Sequence, residues 1–517
     1  MILSKFERIL TVPQMIFCEQ QSDRLGVTLR QLMDNAGEEL GRQILGECVR
    51  TGKKNVLILV GKGNNGGDGL VAANFLFDSG VIPTVMLCCG EPATELSKAA
   101  FEKLHRGIEV TGCDTRLIAG ADIIVDCIFG TGFKGEVREN MHSLFDAVNE
   151  SSAFKLACDI PSGADANSGQ VSGHTVRADM TVTMHAKKLG MVLSPARYYC
   201  GEVRVCDIGI PDFSDMADGG ELAQVINKPD DREYFKALLP RRLPWGHKGS
   251  FGKLVCVCGS ESYIRAAGIS AMAALRTGVG LVELCTPEKV IQALSSRMPE
   301  CTYQKMAADN EGFMTADNAD KILSRLEGAD ALLLGCGLGH TDGTEKLVAQ
   351  LVESSPVPVI LDADGINSLA ANIDVLLKKR SAVILTPHPG ELARLCGVTV
   401  GEILADRQAH AYGLAKKYGV TVVSKSAETL VCSGDECFVM SFGNTALSKG
   451  GSGDMLAGIT ASLMAQQPEK PENAAQLGCY IMGGTAEMLS ADRSQRGILA
   501  QDIIRALPFF LGKLESS

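Results

Sequence analysis

The sequence has no excess of basic residues: Lys and Arg number 50 against 61 Asp and Glu, a net charge of −11. That balance excludes general nucleic-acid binding and a basic membrane patch, although backbone amides can still bind anions locally. No apolar stretch reaches the roughly 18–20 residues that span a bilayer. The opening Met1-Ile-Leu-Ser-Lys-Phe-Glu-Arg8 has no basic segment followed by an apolar one, so no secretory signal is expected. No Cys-x-x-Cys pair is joined by a His or a second pair at zinc spacing, which excludes a structural zinc site. The 18 cysteines are scattered along a long chain, which argues against a disulfide frame and for a reducing, cytoplasmic compartment. Most lie in apolar runs such as Leu254-Val-Cys-Val-Cys258, where Cys acts as a small hydrophobe. A P-loop of the form G-x-x-x-x-G-K-[ST] is also missing.

What is present is an ordinary globular composition, 45% hydrophobic and 21% charged over 517 residues, enough for two large domains or several smaller ones. Short apolar runs followed by amphipathic stretches recur, the rhythm of a parallel sheet covered by helices. In the first part, strands are expected at Asn55–Val60, Pro83–Cys88, Asp122–Asp126, Lys155–Asp159 and Met180–Met184. The helix after the first strand places Leu70, Ala73, Asn74 and Phe77 on one stripe. A Gly- and Asp-rich segment from Pro211 to Gly220 reads as a linker. The rhythm restarts at Lys253–Cys258 and continues through Ala331–Leu334, Val357–Leu361, Ala382–Leu385 and Val420–Val423. Two α/β domains are expected, 1–217 and 218–517.

Right after the first strand stands Gly61-Lys-Gly-Asn-Asn-Gly-Gly-Asp-Gly69. Glycines let amides approach an anion closely, and a helix N-terminus adds partial positive charge. A plain strand-to-helix turn needs fewer glycines. A second loop, Gly130-Thr-Gly-Phe-Lys-Gly135, follows another strand and precedes a helix-like Met141–Val148. An acidic residue in the position that binds a ribose is not evident, so an ordinary NAD oxidoreductase is poorly supported. Asp159 ends a strand, where it suits an acid/base; it equally suits a cap of the next turn.

The ordered set Leu32-Met-Asp-Asn-Ala-Gly37, Asn64-Asn-Gly-Gly-Asp-Gly69, Val125-Asp-Cys-Ile-Phe-Gly-Thr-Gly132, Asp159-Ile-Pro-Ser-Gly163 and Asp207-Ile-Gly-Ile-Pro211 resembles the YjeF N-terminal domain, a Rossmann-like fold. That family contains NAD(P)H-hydrate epimerases, which interconvert the R and S forms at C6 of the hydrated nicotinamide ring. The resemblance implies that Asn64, Asn65, Gly66, Gly67 and Asp68, with Gly130, Thr131, Gly132, Phe133, Lys134, Gly135 and Glu136, hold the dinucleotide. It implies proton transfer by Asp159, and a potassium ion on Asn65, Asp126 and Ser162; all-oxygen ligation suits a hard cation.

In the second half, Asn444-Thr-Ala-Leu-Ser-Lys-Gly-Gly-Ser-Gly-Asp454 runs into a helix. Its glycines and the helix start form an anion cradle, with Asp454 in reach of its contents. The alternative is a helix-capping Asp, which would not need Gly450, Gly451 and Gly453 together. Polar residues end successive strands: Gly335-Cys-Gly-Leu-Gly339, Asp362-Ala-Asp-Gly-Ile-Asn367, Thr386-Pro-His-Pro-Gly-Glu391 and Lys425-Ser-Ala-Glu-Thr429. In a doubly wound sheet such ends converge on one crevice. His388 alone also reads as a loop histidine, and Asp362 and Asp364 as helix caps.

With Gly246–Gly252 and Ala266–Gly280, these segments resemble the NAD(P)H-hydrate dehydratase family of the ribokinase-like fold, from about Trp245 to Leu499. Arg265, Ser426 and Cys336 depart from its usual pattern. The resemblance implies Asp454 as a base over an amide anion hole, Ala266, Gly337, His388 and Asp454 against the hydrated dinucleotide, and Lys425, Ser426, Ala427, Glu428, Thr429 and Gly453 around an adenine nucleotide with Mg²⁺. A fusion of the two domains implies bifunctional repair of NADHX and NADPHX: epimerisation, then dehydration of the S form with hydrolysis of ADP to AMP and phosphate. A homo-oligomer without nucleic-acid or membrane partners is expected. Two rivals stand beside this: a kinase of a small alcohol, and a first domain that binds without catalysing.

Overall fold

A computed structural model describes residues 7–211, 225–229 and 232–516. The chain divides into two compact units, Arg8–Val225 and Ile226–Ser517, with Glu7 going with the second. The expected boundary at 217/218 and all of the expected linker except Pro211 lie outside the described residues. Among the described residues, no helix is long and apolar enough to cross a membrane.

The first unit contains β1 (Glu7–Leu10), β2 (Val56–Val60), β3 (Thr84–Leu87), β4 (Glu109–Gly112), β5 (Ile123–Cys127), β6 (Phe154–Cys158), β7 (Met180–Met184), β8 (Lys187–Lys188) and β9 (Glu202–Cys206). Its main sheet runs β4-β3-β2-β5-β6-β7-β9 and is parallel throughout. Every residue of β2 is buried, because helices cover both faces: Val56, Ile58 and Val60 join one core, Leu57 and Leu59 the other. The chain winds one way through β2, β3 and β4 and the other way from β5 onward, so the crevice opens between the C-terminal ends of β2 and β5. Both glycine loops leave the sheet there.

Helix Asn64–Asp78 buries Leu70, Ala72, Ala73 and Leu76 rather than the stripe with Asn74. It is clamped between the sheet and helix Leu29–Thr51, so it needs a wider apolar face. Asn74 instead donates to Lys103 O (3.2 Å) and accepts from the His105 amide (2.8 Å). Gly37 explains part of its motif: a Cβ there would lie 2.4 Å from Val71 Cβ and 2.7 Å from Asp68 O. Only glycine lets the two helices touch where Asp68 is placed.

The second unit contains β10 (Val225–Lys228), β11 (Lys253–Val257), β12 (Leu281–Pro287), β13 (Thr302–Met306), β14 (Ala331–Leu334), β15 (Val359–Leu361), β16 (Val383–Leu385), β17 (Thr421–Ser424), β18 (Thr429–Ser433) and β19 (Glu436–Met440). The order is β13-β12-β11-β14-β15-β16-β17-β18-β19-β10. It is parallel from β13 to β17 and antiparallel through β18 and β19. The winding reverses between β11 and β14, which sets this unit's crevice. Helix Ser452–Gln466 is buried along all of Met455–Ala465 and crosses helix Ile264–Thr277 at Gly458, where a Cβ would sit 2.1 Å from Ser270 O. Since backbone cannot swing aside, Gly458→Ala is expected to cost at least the ~1–3 kcal/mol of overpacking, read as a lower midpoint of urea unfolding.

Candidate functional site

In the first unit the two glycine loops line a cleft of 740 Å³ with Asn64, Asn65, Asp68, Gly130, Thr131, Gly132, Phe133, Lys134, Glu136 and Asp159. Helix Asn64–Asp78 starts after Gly63 with no side chain capping it, which leaves its first amides to face a ligand. Gly66 and Gly67 do not line the cleft. They are packing positions: a Cβ would lie 2.2 Å from Gly61 O at Gly66 and 2.6 Å from Met33 Cε at Gly67. Gly135 turns the loop at φ +79°. Glu136 spends its carboxylate on Ser172 Oγ (2.8 Å) and the Gly173 amide (3.2 Å), which tethers the loop and holds the Glu136 carboxyl below its usual range.

A smaller hollow of 130 Å³ adjoins this cleft, and Glu19, Asp68, Asp159 and Lys188 meet there. Asp159 adopts φ +64° just past β6, a strained state for a non-glycine residue. Its Oδ1 accepts from Lys188 Nζ (2.5 Å) and Thr183 Oγ1 (3.1 Å), so it caps no turn. Lys188 is 1% exposed and also reaches Thr183 Oγ1 and Met184 O, each at 2.9 Å. Burial, with Asp159 nearby, pushes Glu19 up to about 7 and Asp68 well above the usual carboxylate range; Lys188 opposes both shifts. Sequence reasoning missed Lys188 and Glu19. Lys188 carried one faint signal, a lysine pair just after a buried strand; Glu19 sits on an unremarkable amphipathic helix.

Asn65, Asp126 and Ser162 come together beside the Gly130 loop. Ser162 donates from Oγ and N to Asp126 (2.6 and 2.7 Å), and Asn65 Nδ2 donates to Phe129 O (3.1 Å). Burial pushes Asp126 up to about 6. Asn65 Oδ1 is buried without a hydrogen-bond partner, an orphan acceptor that wants a cation or a donor.

In the second unit, helix Ser452–Gln466 starts after Gly451 at φ +93°, again with no side-chain cap. Asp454 is therefore the third helical residue and does not cap it. Burial and neighbouring Asp362 push the Asp454 carboxyl up to about 6. Asp362 Oδ1 accepts from Lys425 Nζ and Thr386 Oγ1, both at 2.7 Å. Burial works against the Lys425 ammonium, but Asp362 and Glu391 outweigh it and hold its pKa above the ordinary value. A Cβ on Gly453 would lie 3.3 Å from Lys425 Nζ and 3.7 Å from Asp362 Oδ2. Thus Lys425 turns into the crevice beside the glycine nest. Ligand atoms of Cys336, Asp362 and Asp454 lie within 4.8 Å of one another. A thiol, and a carboxylate already committed to lysine, do not make a magnesium cage.

Asp364 Oδ2 accepts from the Gly339 amide (2.8 Å) and so pins the Gly335–Gly339 loop. Ala363 between the two carboxylates has φ +50°. Gly337 approaches Ala266 so closely that a Cβ would lie 2.7 Å from Ala266 Cβ; these two share one wall. His388 caps helix Pro389–Cys396 through Nδ1, which accepts from the amides of Gly390 (3.0 Å) and Glu391 (3.4 Å). Burial and Lys425 lower its pKa, while burial pushes Glu391 up to about 7. Ser426 and Ala427 are exposed, Glu428 is buried and Thr429 opens β18. The carbonyls of Ser424 and Glu428 are held by buried Arg407 (2.8 and 2.6 Å).

The pattern of the family described as NAD(P)H-hydrate dehydratase matches residues 254–509, and that of the YjeF-related protein N-terminus matches 29–190. The Bifunctional NAD(P)H-hydrate repair enzyme Nnr of Moorella thermoacetica is 34% identical over 502 residues, covering 94% of this chain and 92% of the relative. The chain belongs to the bifunctional NAD(P)H-hydrate repair enzymes. The Escherichia coli member of these repair enzymes is also 34% identical, over 94% of this chain and 90% of its own. The solved ADP/ATP-dependent NAD(P)H-hydrate dehydratase of Bacillus subtilis, co-crystallised with ATP/Mg²⁺, is 30% identical with a TM-score of 0.46. It covers 55% of this chain and 98% of its own.

Proposed function

We propose that the second unit removes water from the S epimer of hydrated NADH or NADPH, driven by phosphoryl transfer from ADP, and that the first unit converts the R epimer to the S. The observation that carries this reading is Asp454, lifted to about 6 at an uncapped, glycine-lined helix start, with Lys425 and Asp362 beside it. Asp454 takes the proton of the C6 hydroxyl, and that oxygen attacks the terminal phosphorus of ADP. AMP leaves, and the amides of Gly450–Gly453 hold the transferring phosphoryl group. Elimination of the C6 phosphate with a C5 proton then restores the ring double bond and releases inorganic phosphate. Mg²⁺ brought with the nucleotide would offset the negative charge of the phosphoryl group. Ala266, Gly337 and His388 form the dinucleotide wall, and Lys425 to Thr429 border the nucleotide.

Epimerisation asks for less. The lone pair of the ring nitrogen expels the C6 oxygen as water, and water returns to the other face of the planar iminium. Glu19 near 7 and the raised Asp68 suit a proton donor to the departing oxygen, and Asp159, oriented by Lys188 and Thr183, suits the base for the returning water. The glycine loops at 64–68 and 130–136 border the dinucleotide. The orphaned Asn65 Oδ1, with Asp126 and Ser162, fits a potassium ion; when bound it would steady the loop with positive charge. Domains 1–217 and 218–517 carry the two activities in this reading.

The test supplies purified protein with mixed hydrate epimers and ADP and follows absorbance of the reduced ring. The wild type is expected to return all of it, and Asp159→Ala only the S share. A phosphorylated alcohol accumulating without reduced ring would favour the kinase rival. Unchanged R-to-S exchange in Asp159→Ala would refute the catalytic reading of the first unit.

A further inference from the structure

A third pocket, of 540 Å³, lies in the second unit, and four arginines line it: Arg265, Arg276, Arg297 and Arg505. All four are exposed. None of them has a side-chain hydrogen bond or ion pair to an acid among the described residues. In a chain with net charge −11, four unpaired guanidinium groups around one hollow are held together against their mutual repulsion. Asp502, on the same helix as Arg505, is spent on the Leu499 amide (2.9 Å).

The pocket is built by helix packing. On helix Ile264–Thr277, positions 265, 268, 269, 272 and 276 recur at helical spacing and form one face. The buried Ala267, Ser270, Ala271 and Ala274 form the opposite one. Gly268 lets Leu294 come within 3.0 Å of where a Cβ would be, so the segment bearing Arg297 approaches closely. Eleven residues put Arg265 and Arg276 about 16 Å apart along the axis, at opposite ends of an apolar floor that includes Met272 and Ile504. Ala266, one residue from Arg265, points instead at Gly337 and the catalytic crevice. Arg265 and Ala266 therefore leave one helix on different faces, while Ile269 on the arginine face abuts Gly451 behind the nest.

We propose that this pocket is a second ligand site for a small molecule joining an apolar ring to two or more phosphate groups, the chemistry of a nucleoside polyphosphate. The guanidinium forks match phosphate oxygens in pairs, where lysine would offer only point charge. The floor of methionine and aliphatic side chains accepts a flat apolar group, and the volume suits a mononucleotide-sized ligand. The proposal is independent of the catalytic reading, since none of the four arginines belongs to either reaction site.

Calorimetric titration of the full chain with ADP tests it. Wild type is expected to show a class of ADP sites that Arg297→Gln/Arg505→Gln weakens at least tenfold, while the remaining ADP sites and the dehydration rate keep their values. Arg297→Lys/Arg505→Lys is expected to restore only part of the loss, and tripolyphosphate, which lacks the ring, to bind this class at least tenfold less tightly. In unaltered protein, ADP is expected to protect Arg297 and Arg505 from phenylglyoxal, mapped by mass spectrometry. Superimposable isotherms, equal binding of tripolyphosphate and ADP, or absence of protection would overturn the proposal. So would a change in sedimentation mass on substituting the arginines, which would mean that a second copy of the chain covers the pocket.

Discussion

Asp454→Asn is expected to lower the rate of dehydration about 10²–10⁴-fold, the range that loss of a positioned base removes. In the proposed reaction the carboxylate takes the C6 hydroxyl proton, which the amide cannot do. The wild-type rate is expected to fall as pH drops through about 6, where Asp454 becomes protonated; the residual rate of the variant should lose that limb. Stability runs the other way. Asp454 has a folded-state pKa raised by burial and by Asp362. The stability it contributes is therefore present below its unfolded pKa and is lost as pH rises through about 6. At neutral pH the isosteric amide removes an unfavourable buried charge, so the variant should melt no lower than wild type. A dead but stable enzyme is the predicted pair of results, read by recovery of reduced-ring absorbance and by thermal unfolding. An amide variant working at wild-type speed would end the assignment.

The parallel strands and the two glycine loops were legible because a buried strand is a continuous apolar run and a phosphate loop demands glycine. Reading Gly61–Gly69 as one ligand loop was too coarse. Asn64 and Asn65 face the cleft, whereas Gly66 and Gly67 are small because backbone and Met33 crowd them. Composition cannot separate these two demands, since both select glycine. The antiparallel β18–β19 hairpin was legible but overlooked, since the apolar runs Leu430–Cys432 and Cys437–Met440 flank a Ser433-Gly-Asp-Glu436 turn; strand β4 had no apolar pattern to announce it and is largely exposed. Capping was also undecidable from spacing. The helices at Gly63 and Gly451 lack side-chain caps, while His388 proves to be one.

The sequence is silent about where strain is stored. The positive-φ non-glycine residues among those described are Asp159, His185 and Ala363. The first is the carboxylate proposed to act in epimerisation, the second lies between Thr183 and Lys188, and the third separates Asp362 from Asp364. Each turns the chain at a strand end so that a polar side chain points into a crevice, a cost that only the surrounding packing sustains. Nothing local in Cys158-Asp-Ile-Pro or Leu361-Asp-Ala-Asp reports it.

Lys188→Met should abolish most epimerisation, by about 10²-fold or more, and leave dehydration of the S epimer intact. The lysine orients Asp159 and is the cation that opposes the upward shifts of both Glu19 and Asp68. Without it, Glu19 is pushed above 7, so the alkaline limb of the residual epimerisation should move to higher pH. A merely structural lysine would leave that limb in place. The same carboxyls set the stability pattern. Their folded-state pKa values are raised, so their contribution is full below the unfolded values near 4 and is lost as pH climbs through about 7 in the wild type, and over a still higher range in the variant. The gap in urea stability between variant and wild type should therefore be wider at pH 8 than at pH 5. A gap that narrows with rising pH would place the lysine outside this carboxylate cluster, and epimerisation at wild-type speed would remove it from the reaction.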